Sequence, residues 1–181
     1  MKKFLFVKIL AVVLTLFCFS RGASAQDEAF NKGDKVINLG IGLGTYINWG
    51  GYSNNFPSIC GSFEYGIINL LRDKAAISVG GYFAYTSFRY RGDHDWSISD
   101  FILGPRAIFH YQFAERLDTY AGFMFGYDVV NYAHKDANVS GSTFRTSEFI
   151  GARYYFIKSI AIFCELGYGI APLEFGLSFK F

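Results

Sequence analysis

Proline is nearly missing from this chain, with 3 in 181 residues against 20 glycines and a 20% share of aromatics. Proline-rich linkers and the depleted aromatics of disordered chains are therefore excluded, and ordered elements are expected throughout. Long apolar runs are missing too. Beyond residue 25 no stretch approaches the 18 or more apolar residues of a transmembrane helix. Cysteine is scarce: Cys60 and Cys164 alone lie beyond that point, too few to staple a fold with disulfides. No two histidines or cysteines stand at metal-ligand spacing, and no glycine motif opens a helix to cradle a phosphate. Neither a metal nor a cofactor is expected.

What is present begins with an export signal. Lys2 and Lys3 supply a positive start, Phe4 to Phe19 an apolar stretch, and Ala23-Ser24-Ala25 a small-residue cleavage site. A retained anchor is the alternative, but Lys8 interrupts the apolar run. The expected organisation is a cleaved signal peptide over 1–25 and one domain over 26–181. Losing Lys2, Lys3, Lys8 and Arg21 leaves 13 basic against 15 acidic residues, a net charge of −2. That is no footprint for nucleic acid.

The mature region reads as ribbons with one apolar and one polar face. Its last nine residues show the pattern most cleanly. Leu173, Phe175, Leu177, Phe179 and Phe181 fall on one side, and Glu174, Gly176, Ser178 and Lys180 on the other. Nine residues is also about what a tilted strand needs to cross a bilayer. Seven more segments alternate in the same way: about 35–47, 58–67, 75–90, 97–111, 118–132, 143–156 and 160–169. Turn residues separate them, including a polar loop expected over Ala133 to Ser142. The echo of Gly104-Pro-Arg106-Ala-Ile-Phe109 in Gly151-Ala-Arg153-Tyr-Tyr-Phe156 fits successive hairpins of a meander.

Polarity decides between the all-β alternatives. A soluble eight-stranded barrel puts its apolar residues inside and its charge outside. Here one face is Ile, Leu, Val, Phe and Tyr, while the other is Gly, Ser, Asn and Tyr with charges. The fold class expected is all-β, an eight-stranded antiparallel up-and-down transmembrane β-barrel with lipid as its outer solvent. An even strand number puts both termini on the periplasmic side. Trp49, Tyr85, Trp96, Tyr127 and Tyr168 would lie near the outer rim, and Tyr65, Tyr111 and Phe181 near the inner one.

Export signal, eight alternating strands and a final strand ending Phe179-Lys180-Phe181 resemble the small outer-membrane β-barrel superfamily, of the OmpX and OmpA-transmembrane-domain type. The resemblance covers nearly all of the mature chain. It implies a Gram-negative-type outer membrane and contact with lipid and lipopolysaccharide. It also implies an assembly signal at Phe175, Leu177, Phe179 and Phe181, read by barrel-assembly machinery.

Nine inward positions carry charge or can acquire it: Glu64, Asp100, Arg106, His110, Asp128, Arg153, Glu165, Glu174 and Lys180. An eight-stranded bore is only wide enough to be filled by side chains. Buried charges must be paired, so a plug is expected in which Glu64, Glu165 and Glu174 hold Arg106 and Arg153. A narrow channel is the alternative. In an expected external loop, Arg91-Gly92-Asp93 matches an integrin-binding tripeptide, though Gly-Asp is also ordinary turn chemistry. Asp93-His94-Asp95 could orient an imidazole as a general base, the other reading being solvated loop charge. The leading expectation is a non-enzymatic structural or surface-interaction protein, a plugged barrel whose short external loops meet a host or surface ligand. The rival is an outer-membrane lipid-modifying enzyme using His94 with Asp93 or Asp95, a class that barrels of this size include.

Overall fold

The computed structural model describes residues 29–44, 53–54, 57–90, 96–134, 137–167 and 169–181. Eight long strands follow one another: β1 Lys35–Leu43, β2 Ser58–Leu70, β3 Ala75–Tyr90, β4 Trp96–Ala114, β5 Leu117–His134, β6 Ala137–Ile157, β7 Ile160–Gly167 and β8 Leu173–Lys180. A two-residue segment, Ser53–Asn54, adds to the end of β3. Each strand pairs antiparallel with its sequence neighbour. The sheet then closes, because β1 also pairs with β8 from Val36↔Lys180 to Leu43↔Leu173. Backbone bonds between Lys35 and Phe181 of 3.0 and 3.1 Å extend that seam to the final residue. This is an all-β, closed, eight-stranded up-and-down barrel.

Period-two alternation decides which side chains enter the bore. On β4, Ile102, Arg106, Ile108 and His110 are buried, while Phe101, Leu103 and Phe109 are exposed. On β8, Glu174 and Ser178 are buried and Phe175, Leu177 and Phe179 exposed. Tyr85, Tyr127, Tyr65 and Phe181 stand exposed on the apolar outer face. Trp49 and Tyr168 lie outside the described residues. Cys60 is buried and Cys164 exposed, both as free thiols.

The stretch 133–142 departs from the expected loop: β5 runs to His134 and β6 starts at Ala137. Its Asn, Ser and Gly composition reads as a loop, but a partner strand supplies the missing order. Asn131 pairs with Ser140 and Tyr132 with Val139. Ser140 donates to Asn131 Oδ1 at 2.8 Å, and Tyr127 donates to Ser142 Oγ at 2.7 Å. The outcome is a tall hairpin. β6 meets β7 only from Phe149↔Gly167 downward. Among the described residues, nothing pairs with the twelve residues from Ala137 to Glu148 on the side away from β5.

Residues 29–34 fold into the barrel mouth at the end where β1 begins and β8 finishes. Ala29 and Phe30 are buried there. Gly33 N–H donates to Gly66 O, and Gly66 N–H to Asp34 O, both at 2.9 Å. A side chain at Gly66 could not be accommodated, since its Cβ would fall 2.1 Å from Asn31 O. β2 bulges just beyond this glycine, between Gly66 and Ile68.

Candidate functional site

The chemistry-bearing residues are concentrated in the bore, in successive layers. Nearest the mouth filled by residues 29–34, Lys180 Nζ lies 3.2 Å from Ala29 O, 3.6 Å from Asp34 and 5.0 Å from the Tyr155 ring centre. Above it, Arg153 is wholly buried and donates three ways. Nη2 reaches Glu64 at 2.5 Å, Nη1 reaches Asp118 at 2.9 Å, and Nε reaches Asn38 Oδ1 at 3.2 Å. Asn38 in turn donates to Ser62 and Glu64 and accepts from Ser178. The Arg153 guanidinium also lies over the Tyr120 ring at 4.5 Å. A cation removed from water is tolerable only with such full pairing.

The next layer centres on Arg106. Its Nη2 donates to both oxygens of Glu165 at 2.9 Å, and its guanidinium stacks on Phe149 at 3.8 Å. Tyr120 donates to the same Glu165 at 3.1 Å. Glu174, grouped with the arginines from the sequence, instead accepts a hydrogen bond from the Tyr82 hydroxyl. A phenol that lines the same bore is invisible in a count of charges. A cavity of about 20 Å³ remains here, bounded by Tyr82, Arg106, Ser147, Phe149 and Glu174. That is about enough for one water.

Toward the opposite mouth, Asp128 forms an ion pair with Arg145, and Asp100 is buried on the neighbouring strand. The inward-charge set read from the sequence did not include Asp118 or Arg145. Asp118 is only the second residue of β5, where alternation has barely begun, and Arg145 lies just past the misread loop. Continuing β6 upward from Arg153 by twos would have put Arg145 on the inward face.

The outer face carries the assembly-signal candidates. Phe175, Leu177 and Phe179 point outward from β8, the strand that closes onto β1, and Phe181 follows it. One carboxylate interrupts this face: Glu148 is exposed on β6, opposite Phe123. The external-loop candidates Arg91, Gly92, Asp93, His94 and Asp95 lie outside the described residues. Among the described residues, no group of three or more His, Cys, Asp or Glu could hold a metal ion.

No protein-family model matches the sequence, and no curated protein matches it. Solved structures do match. Ail, the attachment invasion locus protein of Yersinia pestis, was solved in complex with the heparin analogue sucrose octasulfate. It shares 13% identity with this chain over 83% of it and 99% of Ail, at a TM-score of 0.56. The outer membrane protein OprG of Pseudomonas aeruginosa shares 10% identity over 85% of this chain and 98% of its own, at 0.57. At such identities the likeness is one of architecture, and in architecture this chain is, like them, a small closed eight-stranded antiparallel β-barrel.

Proposed function

We propose that this protein is an outer-membrane barrel, exported by residues 1–25 and cleaved after Ala25, that acts at its outer face by binding and not by catalysis. The observation that carries the reading is the inverted polarity. Leu103 and Ile150 are more than half exposed on the outer wall, whereas Arg153 and Glu64 are wholly buried inside. Water would reverse that distribution, and lipid with bound lipopolysaccharide favours it. The charged bore acts as a plug: its layers are paired across the lumen and leave room for about one water beside Arg106. The aromatic row on β8 is the signal for the assembly machinery.

The tall β5–β6 hairpin is the binding element. From Ile157, ten residues of β6 suffice to cross a bilayer, so the part above Glu148 stands in water. It offers hydroxyls and an open backbone edge, the kind of surface to which another polypeptide strand adds. Arg145, the cation nearest that edge in the described part of β6, is tied to Asp128. Ligand recognition by main-chain pairing therefore fits better than capture of a sulfated polyanion of the kind Ail holds.

Cysteine labelling on whole cells tests the placement. Ser140→Cys, on the projecting part of β6, is expected to react with a membrane-impermeant maleimide. Arg72→Cys, in the turn between β2 and β3, is expected to react only after the outer membrane is opened. The reverse pattern would overturn the orientation, and labelling of neither in folded protein would overturn the surface role.

A further inference from the structure

Beside the Arg153 cluster, three side chains on adjacent strands form a hydrogen-bonded relay that the binding reading leaves unused. Ser78 Oγ on β3 lies 2.8 Å from Nε2 of His110 on β4. His110 Nδ1 lies 3.0 and 3.1 Å from the two oxygens of Asp118 on β5. The register explains the alignment. His110 is directly opposite Ala76 and Tyr120, so Ser78 and Asp118 are its diagonal inner-face neighbours on either side. Diagonal neighbours in a sheet are within reach of long side chains. We propose that Ser78, His110 and Asp118 form a latent acyl-transfer site, masked by Phe30, that takes small acyl esters from the barrel mouth where β1 begins and β8 finishes.

Each member is positioned for its part. The tautomer that donates Nδ1–H to the Asp118 carboxylate leaves Nε2 to accept the Ser78 hydroxyl proton. Arg153 Nη1, 2.9 Å from Asp118, fixes that carboxylate from its other side. Glu64 Oε2 lies 3.7 Å from Nε2, a second negative charge beside the imidazole that would favour the imidazolium formed when Nε2 takes the proton. In the reaction, Ser78 Oγ attacks the ester carbonyl carbon while its proton passes to Nε2. An Oγ–acyl bond forms, the ester C–O bond breaks, and the leaving alcohol takes the proton back from His110. Water, activated by the same nitrogen, then cleaves the acyl-serine, releasing the acid and restoring the hydroxyl.

The arrangement is shut as it stands. Ser78, His110 and Asp118 are all buried. The Phe30 ring covers the imidazole, its centre 4.0 Å away and its plane within 13° of parallel. Phe30 belongs to the non-strand stretch 29–34, which Gly33 and Asp34 tie to Gly66 and Lys180 ties at Ala29 O and Asp34, with two further bonds beside Phe30 itself. Ala29 N–H donates to Gln112 at 3.2 Å, and Lys32 N–H donates to Asn69 at 2.5 Å. Val36 and Ala76 complete an apolar cluster with Phe30. Lifting the segment would leave a phenyl-sized apolar recess directly over His110, suited to a short acyl chain and reached from the mouth.

The test uses the full mature chain folded in lipid vesicles, as native protein, as Phe30→Ala, and as a form lacking residues 26–31. Heat-dependent gel mobility reports which forms are folded, and either opened form suffices. Each is exposed to a fluorophosphonate probe, and the modified serine is located by mass spectrometry. The expected result is modification of Ser78 in the opened forms and not in the native chain. Adding His110→Gln should lower the rate about a hundredfold or more, the size of a general-base contribution. An unmodified Ser78 in a folded, opened form would overturn the proposal, as would modification that ignores His110→Gln. The relay would then be a purely structural chain of hydrogen bonds, with the outer-face binding reading untouched.

Discussion

Replacing Arg153 with methionine is expected to cost about 3–5 kcal/mol of folding stability, the loss typical when one partner of a buried ion pair is removed. The side chain is wholly buried and answers two carboxylates, Glu64 and Asp118, plus the Asn38 amide oxygen. Without it, Glu64 keeps the Asn38 amide at 3.3 Å and the imidazole of His110 at 3.7 Å, neither a full counter-charge. Asp118 fares better because His110 still donates to it. The damage should therefore be concentrated at Glu64. A second change, Glu64→Met, removes the orphaned carboxylate and is expected to restore more than half of the lost stability. Replacing both partners of a buried pair by apolar groups is often near neutral. Urea unfolding in vesicles measures both variants. A single variant as stable as the native chain would show that the layer carries no electrostatic constraint.

Leu39→Arg is expected to cost about 2–4 kcal/mol, the penalty for a cation near the bilayer midplane on the lipid face of a barrel. Leu39 lies in the middle of β1, opposite Leu177 of β8, which is opposite Ile162 of β7, and all three are exposed. In water the same substitution would exchange an exposed leucine for an exposed arginine. Such surface changes usually stay within about 0.5 kcal/mol. Val139 supplies the internal control. It is 61% exposed, on the part of β6 that stands above Glu148. Val139→Arg is therefore expected to leave stability unchanged. Equal effects at Leu39 and Val139 would mean that the two positions meet the same solvent.

The fold was legible because two simple regularities coincide in this chain. Alternation assigned the faces, and the sign of the polarity said which face turns inward. β3 is the clearest case, since inward Ser78, Gly80, Tyr82, Ala84 and Thr86 alternate with outward Ile77, Val79, Phe83 and Tyr85. Legibility failed where local composition and tertiary pairing disagree. Asn138 to Ser142 carries loop residues yet is strand, because Ala133 to Val129 lies alongside to complete its backbone bonds. The bore was legible as a list of charges but only in part as a set of partners. Glu165 does hold Arg106 and Glu64 does hold Arg153, but Glu174 bonds a tyrosine and Arg153 also reaches Asp118. Those choices depend on strand stagger, which a single sequence does not encode at the level of one residue. The same stagger brings Ser78, His110 and Asp118 into line. Ala29 and Phe30 form no periodic element at all, so their seat in the barrel mouth left no trace in the pattern.

The measurement that bears most directly on the account is refolding of residues 26–181 from urea, with and without thin lipid vesicles, followed by circular dichroism and heat-dependent gel mobility. The account predicts β-structure and a compact, heat-sensitive band when vesicles are present, and aggregation in buffer alone. The reason is that Leu39, Leu103, Phe123, Ile150 and Leu177 would otherwise face water together. A monomeric, folded β-protein in lipid-free buffer would contradict it.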